Sequence, residues 1–339
     1  MATKAAANDQ GEKPDIALDQ PPSLKVEDRL SLELVIALVG PVASGVSTAG
    51  GMIKEILEDK FDYKVDTIKV SPIIRENAHL VGETISDDLA GEDRIEKYQL
   101  VGNKLREKKS KHFLIDCVMD KIAKTRVDYG GFYTGSGSTP VPLPKRFAYI
   151  IDSLKNPAEL AQLRQIYGDL LWVVTVFGPH DVRKMRLKSN GGEELAAQKV
   201  MKKDHQDDES FGQQVSKTAH LADFFIRNHK DTRESLRGSV NRFLEVVFGT
   251  SLHTPTFDEQ GMMRAASAAL ESACLSRQVG ASIYSSSKEL IGVGCNDVPK
   301  FGGGLYSEAD QEEDKRCFRW GGQFCHNDEH KSLTHNYPV

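Results

Sequence analysis

The run Leu34-Val35-Ile36-Ala37-Leu38-Val39 leads straight into Gly40-Pro41-Val42-Ala43-Ser44-Gly45-Val46-Ser47-Thr48, and then into a helical pattern carrying Met52, Ile53, Ile56 and Leu57. Six aliphatic residues with no polar alternation suit a strand buried on both faces, which places it inside a parallel sheet. The turn after it has the spacing Gly-x-x-x-x-Gly-x-Ser. Between a buried strand and a helix, such glycines let backbone N–H groups converge on phosphate oxygens. The helix N-terminus adds partial positive charge, and a hydroxyl of Ser47 or Thr48 can reach Mg²⁺. The nucleotide-binding candidates are therefore Gly40, Ser44, Gly45, Val46, Ser47 and Thr48. Val46 stands where lysine normally offsets the charge of the β and γ phosphates, so nucleotide binding is expected ahead of efficient phosphoryl transfer. A plain strand-to-helix turn is the alternative for the same residues.

Downstream, strands are expected at Tyr63 to Val70, Phe147 to Ile151, Leu170 to Phe177 and Leu221 to Ile226, with amphipathic helices between most of them. This alternation specifies a sheet covered on both faces. One helix is expected from Arg94 to Arg106 and another from about Ala158, after Pro157. A last one starts near Thr232, carries Leu236, Val240, Phe243, Leu244 and Val247 at 3.6-residue spacing, and ends near Gly249. Asp152 closes the strand Tyr149-Ile150-Ile151, where a carboxylate can face the loop and orient Mg²⁺, although a strand-end Asp also serves as a cap or turn residue. Arg183, Lys184, Arg186 and Lys188 precede the charged stretch Glu193 to Lys203, which reads either as a lid over phosphates or as a solvated helix face.

The expected organisation is a tail over 1–30, a first domain over 31–249 and a second over 256–339. Thr256 and Glu259 form a capping-box signature, and Val279 to Tyr284 and Leu290 to Cys295 read as two strands around a Ser-Ser-Ser-Lys turn. With 44 basic and 49 acidic residues the formal net charge is −5, which argues against nucleic-acid binding by bulk charge. No apolar run reaches the ~18 residues of a membrane span. Five thinly spread cysteines suit a reducing compartment, so a cytoplasmic protein is expected.

The Gly-x-x-x-x-Gly-x-Ser loop, Ile151-Asp152 and Ala222-Asp223-Phe224 with Asn228 resemble the nucleoside-monophosphate and dephospho-coenzyme-A kinase-like branch of the P-loop NTPase fold. The segment Arg277-Gln278-Val279-Gly280-Ala281, followed by Gly294-Cys295-Asn296-Asp297-Val298-Pro299, resembles the opening of a deoxycytidylate deaminase domain of cytidine deaminase-like α/β fold. That resemblance implies that Arg277 and Asn296 lie near a bound nucleotide. The order of the two segments is similar to that of the anti-phage dCTP deaminase family, in which a P-loop kinase-like module precedes a zinc deaminase. The resemblance implies hydrolytic deamination of dCTP or dCMP, with deoxycytidine nucleotides and, at the loop, a purine nucleotide as partners; a homo-oligomer is compatible with it. The family's Zn²⁺ site needs H-x-E and P-C-x-x-C, which this sequence lacks. The expectation is accordingly a truncated deaminase-family chain with an intact nucleotide-binding half and no catalytic residue or metal ligand of its own. Cys317, Cys325, His326 and His330 have ligand chemistry suited to a structural zinc, in a spacing that is not a familiar zinc signature. A nucleotide kinase with Lys69, Lys54 or a lid arginine in place of the loop lysine, and a noncatalytic nucleotide sensor, are the alternative functions.

Overall fold

The computed structural model describes residues 32–130, 132–133, 141–142, 145–189, 194–205, 210–229 and 233–319, together with 322, 325 and 328. The expected 1–30 tail lies outside them, as do His326 and His330. The chain divides after Leu252 into two compact units. No helix among the described residues is long and apolar enough to cross a membrane.

The first unit is an α/β layer structure. Its strands and helices follow as β1 (Leu34–Val39), α1 (Val46–Phe61), β2 (Lys64–Lys69), α2 (Val70–Asn77), α3 (Gly91–Lys108), α4 (Phe113–Gly130), β3 (Phe132–Tyr133), β4 (Val141–Pro142), β5 (Phe147–Leu154) and α5 (Pro157–Tyr167). Then come β6 (Leu171–Phe177), α6 (His180–Ser189), α7 (Glu194–His205), α8 (Val215–Ala219), β7 (Phe224–Arg227) and α9 (Arg233–Phe248). Five strands form one sheet in the order β2-β5-β1-β6-β7, and every pairing in it is parallel. The short β3 and β4 pair antiparallel with each other.

The alternation of β1 explains why it is apolar throughout. Val35, Ala37 and Val39 join one core layer, with Ile73, Leu105, Val118 and Leu160 of the helices α2 to α5. Leu34, Ile36 and Leu38 join the opposite layer, with Ile53, Leu57, Val240 and Phe243 of α1 and α9. Both faces of the strand lose contact with water, and each fully buried aliphatic side chain contributes about 1.5–3 kcal/mol. Because all five strands run parallel, their C-terminal ends line one edge, where open sheets of this kind collect their functional loops.

The second unit is small. Helix α10 (Phe257–Ala269) starts on the expected capping box: Thr256 Oγ1 accepts from Glu259 N–H at 3.3 Å and Glu259 Oε2 accepts from Thr256 N–H at 2.7 Å. Strands β8 (Gly280–Tyr284) and β9 (Leu290–Cys295) form a two-stranded antiparallel sheet of their own. Met262 of α10 is 70% exposed, and Leu270 just after the helix 87%.

Candidate functional site

The turn between β1 and α1 is held tightly. Ser44 N–H donates to the Pro41 carbonyl at 3.0 Å, and Gly45 sits at φ +91°, a left-handed conformation that glycine adopts without steric penalty. A Cβ on Gly40 would fall 2.6 Å from the Val176 carbonyl oxygen, so only glycine lets the loop run this close to β6. Val46 is the first residue of α1, and its side chain is buried in the core layer with Ile53 and Leu57. Thr48 is exposed.

Three side chains pin the loop from behind. Asn228 Nδ2 donates to the Ser44 carbonyl at 2.8 Å, Arg186 Nη1 donates to the Ala43 carbonyl at 3.2 Å, and Arg183 Nη1 to the Val42 carbonyl at 3.4 Å. Arg183 also donates from Nε to the Gly178 carbonyl, and burial pushes its pKa down against the pull of Asp204. Arg183 and Arg186 of α6, which precede the stretch read either as a lid or as a solvated helix face, thus donate to loop carbonyls in this structure.

At the mouth of the loop, Ser47 Oγ donates to Asp152 Oδ2 at 2.7 Å. Asp152 reaches that point because β5 pairs it with Leu38 of β1 and Lys69 of β2 at the C-terminal edge of the sheet. The expected meeting of a loop hydroxyl with the strand-end carboxylate therefore occurs. A cavity of about 440 Å³ opens beside them, lined among others by Ser47, Lys69, Arg94, Asp152, Ser153 and Lys155.

Lys155 follows β5 directly, ahead of the Asn156 cap and Pro157 of α5. Its Nζ donates to the Gly40 carbonyl at 2.9 Å and to Asp204 Oδ1 at 2.8 Å. The other oxygen of Asp204 accepts Val42 N–H of the loop at 2.7 Å. Glu159 fixes the chain at this bend: its Oε2 accepts Lys155 N–H and Asn156 N–H, each at 3.1 Å, while its Oε1 accepts Arg106 Nε at 2.8 Å. Sequence reasoning missed Lys155, although a lysine three residues beyond a strand-end Asp was a usable signal. Asp204 carried no signal apart from its charged surroundings. Lys69 lines the cavity as one of the suggested replacement cations; Lys54 pairs with Glu58 along α1 instead.

In the second unit Arg277 and Asn296 do come together, through the Arg277 backbone. Asn296 Nδ2 donates to the Arg277 carbonyl at 2.8 Å and its Oδ1 accepts Val279 N–H at 2.6 Å. The amide expected to meet a nucleotide is committed to a turn. Cys274 Sγ lies 3.9 Å from Cys325 Sγ. No group of three or more His, Cys, Asp or Glu residues suited to a metal ion forms among the described residues.

No family model matches the chain. A protein of Archaeoglobus fulgidus described as UPF0200/UPF0201 is 22% identical over 238 residues, covering 68% of this chain. The chain spans 63% of that relative's length. Among solved structures, a shikimate kinase from Bacteroides thetaiotaomicron is 13% identical over 63% of this chain and 98% of its own, with a TM-score of 0.34. A gluconokinase from Sinorhizobium meliloti is 13% identical over 66% of this chain and 100% of its own, with a TM-score of 0.32. A sugar kinase from Janibacter is 15% identical over 65% of this chain and 99% of its own, at a TM-score of 0.31.

The anti-phage dCTP deaminase assignment is corrected by these findings. The curated relative carries no deaminase description, and the described part of 256–339 assembles no zinc-binding group. The hydrolase and deaminase expectations fall with it, and so does the deaminase zinc; the set Cys317, Cys325, His326 and His330 includes two residues outside the described ones.

Proposed function

We propose that the first unit binds a phosphorylated nucleotide at the Gly40 to Thr48 loop and acts as a kinase-like phosphotransferase, with its second substrate in the adjoining cavity. The observation that carries this reading is the Ser47–Asp152 hydrogen bond at the loop's mouth, facing a cavity that also holds Lys69, Arg94 and Lys155. A hydroxyl and a carboxylate at this place form a hard-oxygen pair suited to Mg²⁺, and Ser47 and Asp152 would hold the ion. Bound there, Mg²⁺ supplies charge neutralisation of the phosphates. The chain's own groups orient the ligand: loop N–H groups face its oxygens, Lys69 and Arg94 add positive charge at the cavity wall, and the first turn of α1 and strand β5 hold Ser47 and Asp152 against one another.

The test is Mg²⁺-dependent nucleotide binding by calorimetry, followed by transfer of labelled γ-phosphate. Ser47→Ala and Asp152→Asn are expected to weaken Mg-nucleotide binding by about 10–100-fold while the apo protein keeps its fold. Unchanged binding in both variants, or no binding by the wild type, overturns the reading. A noncatalytic nucleotide sensor is favoured by one observation: Val46, at the usual lysine position, is only 8% exposed and packs into the core. Tight binding without measurable transfer selects that second reading.

A further inference from the structure

The Asp204 carboxylate is held by two donors at the loop. One oxygen accepts the Val42 N–H of the loop at 2.7 Å and the other accepts the Lys155 ammonium at 2.8 Å. Its side chain is 2% exposed and that of Lys155 20%. A carboxylate this deeply buried needs just such a pairing of a backbone donor with a cation. The Lys155 ammonium also reaches the Gly40 carbonyl, so it sits against the loop itself. Ser44 Oγ is an independent sign that the loop is built for a further polar group: Ser44 is fully buried and its hydroxyl has no hydrogen-bond partner among the described residues. Ser153 Oγ, on the cavity wall, is likewise buried and unpartnered.

We infer that Val42 N–H and Lys155 Nζ form an anion subsite for a ligand phosphate, that Lys155 supplies the positive charge missing at Val46, and that Asp204 of α7 holds the subsite until a phosphate displaces it. This rests on the nucleotide-binding reading and assigns its phosphate contact. The exchange breaks no covalent bond: one anion replaces another on the same two donors, and Asp204 gains water in return. Ligand affinity is therefore reduced by the fraction of molecules in which Asp204 is seated, and removing its charge lifts that reduction.

The experiment measures the dissociation constants of Mg-ATP and of inorganic tripolyphosphate, which presents phosphates without a nucleoside, for the full chain and its variants. Asp204→Asn and Asp204→Ala are expected to tighten tripolyphosphate binding by about tenfold or more. Lys155→Met is expected to weaken it, and to weaken it also when introduced into the Asp204→Ala protein, where the ion pair no longer exists; Lys155→Arg restores binding. Thermal melting of each apo variant verifies folding, and the Asp204→Ala pair keeps the test available if Lys155→Met alone fails to fold. Wild-type binding of Mg-ATP with no tightening in either Asp204 variant, or no effect of Lys155→Met in the Asp204→Ala background, overturns the inference and leaves the nucleotide reading standing. Absence of Mg-ATP and tripolyphosphate binding in the wild type and in both Asp204 variants overturns the reading itself.

Discussion

Gly45 concentrates two requirements in one residue. Its φ of +91° penalises any side chain, and a Cβ built there would lie 2.3 Å from Asn228 Nδ2, the group that donates to the Ser44 carbonyl. Asn228 is itself buried, so it has little room to yield. Gly45→Ala is expected to lose more than about 1 kcal/mol of unfolding free energy, read as a lower denaturant midpoint, because both the backbone conformation and the Asn228 contact are disturbed. It should also weaken nucleotide binding, since the loop amides would turn with the backbone. A midpoint equal to that of the wild type would mean that the loop adopts another conformation. The sequence exposed Gly45 through its spacing from Gly40 alone, but it did not expose Asn228 as its neighbour. That proximity comes from the chain at the end of β7, where Asn228 reaches the Ser44 carbonyl, 184 positions away in sequence.

The bend from β5 into α5 shows how an element places a functional side chain. Asn156 caps the helix by accepting Ala158 N–H at 2.9 Å, and Glu159 closes the capping box while also meeting Arg106 of α3. Glu159 and Arg106 are each 2% exposed at the side chain. Removing one partner of such a pair leaves a buried uncompensated charge, a loss of about 3–5 kcal/mol. Glu159→Gln is expected to fall in that range by chemical denaturation, and Glu159→Gln with Arg106→Met should recover part of it. No recovery in the double variant would show that Glu159 acts through the cap rather than the ion pair. Elements of this kind were legible where the signal was local. The apolar run of β1, Pro157 in the first turn of α5 and the 3.6-residue spacing of α9 all correspond to observed segments. The strand expected at Leu221 to Ile226 begins only at Phe224, because Asp223 turns its carboxylate back to Val173 N–H and Arg164 before the ladder with β6 starts. Of the candidate site, Ser47 and Asp152 were legible, marked by the motif and by a position near the end of β5. Asp204 was not, because its contacts follow from the junction of β5, α7 and the loop, and Lys155 was marked only by its place three residues after Asp152.

At the scale of the whole molecule the two units are stabilised by different means. The first has two apolar layers on a five-stranded sheet. In the second, Ala268 and Cys325 are the apolar side chains that are buried among the described residues, while Ile283, Ile291 and Val293 are all more than half exposed. The resemblance read from Arg277 to Pro299 misled because Asn296 and Asp297, polar residues that suit a ligand site, here tie segments of chain together. Asp297 accepts Ala273 N–H at 3.1 Å and lies 3.8 Å from Arg316, whose guanidinium meets Asp314 at 2.8 Å. Arg319 approaches the same Asp314 carboxylate at 3.7 Å. The Arg316 hydrogen bond holds the Asp314 carboxyl down at about 2, against its ordinary 3.8 and against the opposing effect of burial. A carboxylate with a lowered pKa in the folded state stabilises fully above its unfolded value, and that contribution disappears as the pH falls through the folded one. The second unit should therefore loosen between roughly pH 4 and pH 2. Amide exchange over β8 and β9, corrected for intrinsic rates, measures this against the strands of the first unit. Faster exchange in the acid window is expected for the wild type. Asp314→Asn should exchange faster already at about pH 5 and change less on acidification, because the group that titrates is gone. Equal protection of β8 and β9 at both ends of the window would remove the Asp314–Arg316 pair from any role in holding this unit together.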